Sequence, residues 1–559
     1  MKVVLAAVNS KFVHSNLAVR YLKAYTSDLN YECNIREFSI NDRRERVLEE
    51  IMNEKPDLVA FSCYIWNIEF VQSLAKLIKL VNSNVEILYG GPEVSFDSVQ
   101  FLQESAGDYV IEGEGEETYK EFIECKLKEQ ELSEIKGIYY RKGSEILYGG
   151  KRQLMDISKI VFPYNADEDL SNKIVYYEAS RGCPFKCKYC LSSTEHGVRF
   201  LEIARVKKDL QFFIDKKVRL VKFVDRTFNC NKKNSMELWQ FLINLKTDTS
   251  FHFEISADIL SREEIKLLSY APKGRFQFEV GVQTTNDEVL KNINRYVNFE
   301  DIKEKVEELE KLKNIKQHLD LIAGLPGEDL ESFKKSFNDV YTIKPEEIQL
   351  GFLKLLKGSS MREEAEKWGM VYSPYPPYEI IKTNLISYEE LILLKRVEEV
   401  LDKYYNSGKF NSIIKYFENK FESPFDFYYK LGMFFYSEGY LSRSISSVDY
   451  YRAFVEFSKK VLNEESNILS EIIKFDYLKY NKKRWMPDFL NRYDLDKEFE
   501  KKLKRSLDEK NESEKKNCHI ERFGINIMEF LNNGGILGGD YLLAFNENQS
   551  EDILDISNL

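Results

Sequence analysis

Residues 178–193 read EASRGCPFKCKYCLSS and place three of the chain's eight cysteines, Cys183, Cys187 and Cys190, on one short stretch. The thiolate is the metal-binding form of cysteine, so three thiols in one loop point to a metal ion or a cluster. A closed structural zinc site takes four ligands, and His196, six residues after Cys190, is the available fourth. The C-x3-C-x2-C spacing differs from zinc motifs, which pair C-x2-C units. An iron-sulfur cluster of the 4Fe-4S type, held by three cysteines, leaves one iron open to a small chelating molecule. Cys33, Cys63, Cys125, Cys230 and Cys518 are scattered. They read as small buried hydrophobes kept reduced, not as a disulfide framework.

A second group of residues with chemical use lies in glycine-containing turns. Gly90 and Gly91 stand in LYGGPEVS, and Gly113 and Gly115 in IEGEGEET. Glycine lets a backbone approach a large partner closely. No G-x-G-x-x-G follows the first strand and no G-x-x-x-x-G-K-[ST] is present, which argues against a dinucleotide or a nucleoside triphosphate.

The elements that must position these groups fall into parts. Residues 1–150 alternate strands (2–8, 57–65, 85–92 and one from 108) with helices (15–28, 69–83 and up to 127). This predicts an open parallel sheet of Rossmann-like type, with ligands beyond its C-terminal strand ends. Residues 151–172 are polar, contain a proline and read as a linker. Residues 173–372 give six further strand-helix units. Their strands are near 173–179, 218–224, 250–257, 275–282, 316–323 and 347–353, and helices near 201–215, 234–246, 262–270, 298–313 and 328–340 lie between them. The predicted architecture is an α/β partial (β/α)6 barrel whose chemistry sits at its C-terminal strand ends. The cysteine loop follows the first of these strands. Residues 373–559, beginning at PYPPY, carry helical periodicity with many aromatics and predict an α-helical domain. The segment 508–517, DEKNESEKKN, reads as a solvated loop.

The 559-residue chain is 43% hydrophobic and 31% charged. No apolar run reaches the roughly 18–20 residues a membrane span needs. MKVVLAAVNSKF reads as a buried strand, not a signal peptide, and a cytoplasmic location is expected. A net charge of −11 gives no basic footprint for nucleic acid.

C-x3-C-x-aromatic-C after the first barrel strand resembles the radical S-adenosylmethionine (SAM) superfamily, with Tyr189 as the aromatic. The resemblance covers about residues 174–360. It continues through VKFVDRTFN (221–229), FHFEISADIL (251–260), FEVGVQTTN (278–286), LDLIAGLPGED (319–329) and IQLGFLKLLKGS (348–359). It implies a 4Fe-4S cluster on Cys183, Cys187 and Cys190, and SAM contacts from Tyr189, Asp225, Ser256, Asp258, Glu279 and Gln283. A Rossmann-like domain ahead of such a barrel is similar to the cobalamin-binding class. The subgroup it most resembles adds a helical C-terminal domain of unassigned role. This implies cobalamin held near Asn9, Ser62, Tyr64, Gly90, Gly91, Gly113 and Glu114. The D-x-H-x-x-G cobalt-ligating motif is absent. His14, in KFVHSN, reads first as a structural hydrogen-bonding group and second as a ligand.

The function so implied is reductive cleavage of SAM with methylation of an unactivated carbon, on a small-molecule or peptide substrate. An electron donor such as a flavodoxin or ferredoxin is implied as partner. A radical rearrangement or cyclisation, an RNA or protein methylthiotransferase, a non-catalytic cobalamin or redox sensor, and a zinc-stabilised binding protein are the alternatives.

Overall fold

The architecture comes from a computed structural model, which describes residues 1–195, 197–481, 486–493, 495–496, 498–503, 518–546 and 553–557. His196 and the segment 508–517 lie outside the described residues. The chain divides into two compact units, residues 1–332 with 352–387, and residues 333–351 with 388–559.

The first unit opens with a seven-stranded sheet. Its strands are β1 (Lys2–Asn9), β2 (Glu32–Ser39), β3 (Leu58–Ser62), β4 (Glu86–Gly90), β5 (Tyr109–Ile111), β6 (Ile138–Lys142) and β7 (Glu145–Tyr148), in the order β2-β1-β3-β4-β5-β6-β7. The first five are parallel, and β6 and β7 join as antiparallel strands. In β1, Val4, Ala6 and Val8 enter one hydrophobic cluster while Val3, Leu5 and Ala7 enter the other. Helices cover both faces, so the strand reads as a continuous apolar run and not as an alternation. Helices α1 (Leu17–Tyr25), α2 (Arg44–Asn53), α3 (Ile68–Val81), α4 (Ser98–Glu104) and α5 (Glu116–Leu127) make the crossovers. Chain order reverses at β1, which has β2 on one side and β3 on the other, so the loops after β1 and β3 bound the switch point.

Residues 151–172, expected as a linker, are fastened to the fold by apolar side chains. Met155, Ile157, Ile160, Tyr164 and Leu170 are buried, and Tyr164 packs edge-on against Phe213. The polar composition hid an apolar residue every few positions, enough to fasten an irregular segment to a core.

The second sheet begins with β8 (Ile174–Tyr177), after which β9 (Ser180–Cys183) and β10 (Gly197–Phe200) form a separate antiparallel hairpin. After these come β11 (Leu220–Phe223), β12 (Ser250–Ile255), β13 (Phe276–Gln283) and β14 (Ile315–Ala323). Strands β8, β11, β12, β13 and β14 pair in parallel and in chain order. Leu353 continues beside β14 by donating to the Ala323 carbonyl at 3.0 Å. Alternation sorts the side chains. Phe223, Phe253, Phe276 and Phe278 join Trp239 in an aromatic core on one face. Lys222, His252, Glu254, Glu279, His318 and Asp320 stand on the other.

The second unit contains β15 (Glu347–Phe352, to Gly351) and the helices Tyr388–Leu401, Asn411–Glu418, Pro424–Ser437, Ser447–Val461 and Asn467–Tyr480. Its core is aromatic: Tyr404, Phe410, Phe417, Phe454 and Phe457 are buried against one another. Toward its end, within the region expected as an α-helical domain, Cys518–Ile525, Gly538–Asn546 and Ile553–Asp555 form an antiparallel sheet. No described helix is long and apolar enough to cross a membrane.

Candidate functional site

Cys183 is the last residue of β9, and Cys187 and Cys190 lie in the loop that leads toward β10. All three are free thiols. Gly182, at φ +104°, is required here, because a Cβ would stand 2.2 Å from the Gly197 carbonyl oxygen across the hairpin. The loop is held from two sides. The Lys188 N–H donates to the Ile293 carbonyl at 3.0 Å, and Asn294 Nδ2 to the Lys186 carbonyl at 2.8 Å. On the other side the Met361 N–H donates to the Lys188 carbonyl, and Lys188 pairs with Glu364 at 2.7 Å.

Arg295 stands over this loop, with Nη1 directed to Cys187 Sγ at 3.8 Å and Nη2 to the Gly281 carbonyl at 2.6 Å. Its Nε is buried without a partner. Burial pushes the Cys187 thiol up, against the pull of Arg295. Cys183 Sγ lies 3.5 Å from Thr227 Oγ1. Among the described residues no three His, Cys, Asp or Glu side chains converge as one metal ion would require. A cluster asks for something else, since each thiolate binds a different iron. Three free thiols on one anchored loop with a guanidinium beside one sulfur suit that donor chemistry.

The candidates for SAM contact behave differently from one another. Tyr189, inside the cysteine loop, has its phenol raised by burial. Gln283 ends β13 after a bulge, at φ +72°, and its Oε1 is buried and unpaired. Its amide lies so close over Gly281 that a Cβ there would come within 2.3 Å. Glu279 faces the polar side of the sheet. Burial alone would raise its carboxyl, but His252 at 3.2 Å and Lys222 at 3.5 Å outweigh it and hold it at about 2. Asp225 is turned inward instead. Its oxygens accept from the Ala179 N–H at 3.0 Å and from Ser180 Oγ, and burial pushes its carboxyl up to about 7. It therefore fixes the turn between β8 and β9. Ser256 donates to Asp258, while Asn229 accepts from the Ser256 N–H at 2.9 Å and donates to its carbonyl at 2.8 Å.

The cobalamin candidates lie at the C-terminal edge of the first sheet, Asn9, Ser62 and Gly90 as the last residues of β1, β3 and β4 and the others in the loops that follow. Asn16, the cap of α1, donates to Asn9 at 3.3 Å and to Ser62 at 3.2 Å, tying the two sides of the switch point together. Both acceptors are buried. Tyr64 stacks on Trp66, with centroids 4.4 Å apart and planes 5° apart, and burial raises its phenol to about 12. Trp66 is 45% exposed, and its Nε1 donates to the Val8 carbonyl at 3.3 Å. Gly90 ends β4. Gly91, at φ +115°, packs on the next loop, where a Cβ would stand 2.5 Å from the Cys63 carbonyl oxygen. Gly113, at φ +69°, has open space where a Cβ would be. The Glu114 oxygens accept from Arg181, Arg199 and the Met155 N–H. Burial would raise this carboxyl, but Arg199 and Arg181 hold it below its usual range. His14 bonds through Nδ1 to the Tyr176 hydroxyl at 2.7 Å.

Arg295, Arg181 and Arg199 have no signal in the sequence, because their partners Cys187 and Glu114 come close only in the fold. Gly281 and Arg295 are 14 positions apart, and Arg295 and Cys187 108 positions apart.

Three family models match the chain. A B12 binding domain covers residues 3–123, the Radical SAM superfamily residues 177–340, and a domain described as of unknown function, DUF4080, residues 366–535. The chain is 23% identical over 347 residues to the cobalamin-dependent radical SAM methyltransferase TokK of Streptomyces tokunonensis, spanning 58% of this chain and 51% of that one. It is 21% identical over 342 residues to an anaerobic magnesium-protoporphyrin IX monomethyl ester cyclase of Rubrivivax gelatinosus, spanning 57% and 59%. The chain spans about half the length of the curated relatives it matches. In fold it is similar to the radical S-adenosylmethionine methyltransferase TsrM of Kitasatospora setae, with a TM-score of 0.56 and 15% identity over 68% of this chain and 82% of that one.

Proposed function

We propose that this chain, a radical SAM superfamily protein that carries a B12-binding domain ahead of its barrel, is a cobalamin-dependent enzyme that cleaves SAM reductively and methylates an unactivated carbon. The observation that carries the reading is the anchored three-thiol loop on β9 and β10, whose stem is ion-paired to the turn after β5 where Gly113 leaves open space. When bound, the cluster and the corrin supply one-electron cleavage of SAM and a methyl carrier.

The residues of the chain bind, orient and exclude water. Cys183, Cys187 and Cys190 would hold the cluster, and Arg295 places a fixed positive charge beside Cys187 that favours its thiolate. Gln283 offers a buried acceptor with no protein partner, and such a group is costly unless a ligand satisfies it. Tyr189 and Gln283 are the SAM contacts that fit best. Asp225, Ser256, Asp258 and Glu279 hold the strand ends that carry them. On the corrin side, Asn9 and Ser62 shape the switch point. Tyr64 with Trp66 supplies an apolar platform, and Gly90, Gly91 and Gly113 allow a close backbone approach.

Anaerobic reconstitution with iron, sulfide and hydroxocobalamin, then desalting and metal analysis, tests the reading. The expected result is about four irons and one cobalt per chain, with methylated product and 5′-deoxyadenosine once substrate, SAM and reductant are present. Iron without cobalt removes the methyl carrier and with it the methylation reading.

A further inference from the structure

The stem of the cysteine hairpin and the turn after β5 share one lattice of charges. Arg181, two residues before Cys183, pairs across the hairpin with Arg199. Its Nε and Nη2 each donate to Glu178 at 2.9 Å, its Nη1 to Glu114 at 3.0 Å and its Nη2 also to Glu116 at 2.8 Å. Arg199 donates to both oxygens of Glu114, at 2.7 and 3.1 Å, and to the Met155 carbonyl at 2.7 Å. The Glu114, Glu116 and Glu178 side chains are at most 10% exposed. Glu114 and Glu116 bracket Gly115, the cap of α5, and Glu114 follows Gly113 directly.

Such a lattice is stiff. Guanidinium donors lie in a fixed planar fork. Breaking one buried pair strands a charge, which is strongly unfavourable. The turn after β5 therefore cannot shift against the hairpin stem without unpairing several buried charges together. The stem in turn carries Cys183, and Gly182 packs on the Gly197 carbonyl, so the two hairpin strands move as a body.

We propose that the Arg181–Arg199–Glu114–Glu116 lattice makes the two cofactor sites thermodynamically coupled, with the arginines and glutamates as positioning residues. The proposal rests on the reading above, in which the corrin lies against the 113–115 turn. A ligand that selects one placement of that turn selects one placement of Cys183. Reciprocity then requires the cluster to raise corrin affinity by the factor by which the corrin stabilises the cluster. A lattice that merely joined two domains would lower both affinities on removal and leave no dependence of one on the other.

The test measures the hydroxocobalamin Kd of the full chain with its cluster reconstituted and without iron. The expected wild-type ratio is at least about five-fold. Glu114→Gln keeps the side-chain volume and removes the charge. It should bring the ratio toward one while iron per chain stays unchanged. Arg199→Lys, which keeps charge but loses the fork, gives a second variant should Glu114→Gln not fold. A wild-type ratio of one, or a ratio that survives both substitutions, overturns the coupling. Equal Kd values overturn the coupling alone, whereas no cobalamin binding in either state overturns the cobalamin reading with it.

Discussion

At the residue scale the cysteines divide by surroundings, not by exposure. Cys183, Cys187 and Cys190 share one loop, and Cys230 lies outside it, at the end of the turn that carries Thr227. Burial raises the Cys230 thiol to about 11, and it follows a turn in which Thr227, not Cys230, approaches Cys183 Sγ. Cys183→Ala, Cys187→Ala and Cys190→Ala should each abolish the visible absorption of the reconstituted chain, and Cys230→Ala should keep it. Iron retained at the wild-type level in any of the first three removes that residue from the ligand set. Loss of iron in Cys230→Ala makes it a fourth ligand. The triplet was legible in the sequence because a loop's ligands are neighbours in the chain. Arg295 was not, since its approach to Cys187 depends on how β13 ends and on the bulge at Gly281 and Gln283.

At the element scale, strands buried on both faces announced themselves and edge strands did not. KVVLAAV and DLVAF are apolar runs whose register neighbours cover them on both sides. The β2 strand, ECNIREFS, is largely half-exposed at the sheet edge and carries no such run. In the β6–β7 hairpin only β7 lies at the sheet edge, where its residues are exposed or half-buried and form no apolar run on both faces. Of the glycine turns, only their presence was readable, and the structure separates their roles. Gly91 is pressed on the Cys63 backbone, so any side chain there disrupts the loop itself. Gly113 is open, which makes it the better probe of the corrin face. At its φ of +69°, asparagine is tolerated better than other side chains. Gly113→Trp should weaken hydroxocobalamin binding by at least about ten-fold relative to Gly113→Asn, about 1.4 kcal/mol, with iron content equal in the two. Equal affinities would place the corrin elsewhere.

At the scale of the whole molecule, the second compact unit takes in β15 and the helix before it together with the C-terminal helices. Phe337, on the helix before that strand, packs edge-on against Phe425, and Asn406 exchanges two hydrogen bonds with the Ile348 backbone. The aromatic periodicity of the C-terminal region is thereby explained as core packing. At its centre is a buried carboxyl group: Asp476 accepts from the N–H groups of Ser412 and Ile413, at 3.0 and 3.1 Å, at the start of the Asn411–Glu418 helix. The helix N-terminus favours the carboxylate, but burial is the larger effect and raises the group from 3.8 to about 7, with Lys479 too weak to reverse it. The folded state thus holds a proton that the unfolded chain releases. This group's contribution to stability is fully present below about pH 4 and is lost as pH rises to about 7. Asp476→Asn keeps one oxygen to accept from both N–H groups and cannot ionise. Its stability relative to wild type should therefore rise steadily between pH 4 and pH 7 in thermal or denaturant unfolding. A difference between the two proteins that stays constant across that window would mean that Asp476 is charged in the folded state and that the helix terminus, not burial, governs it.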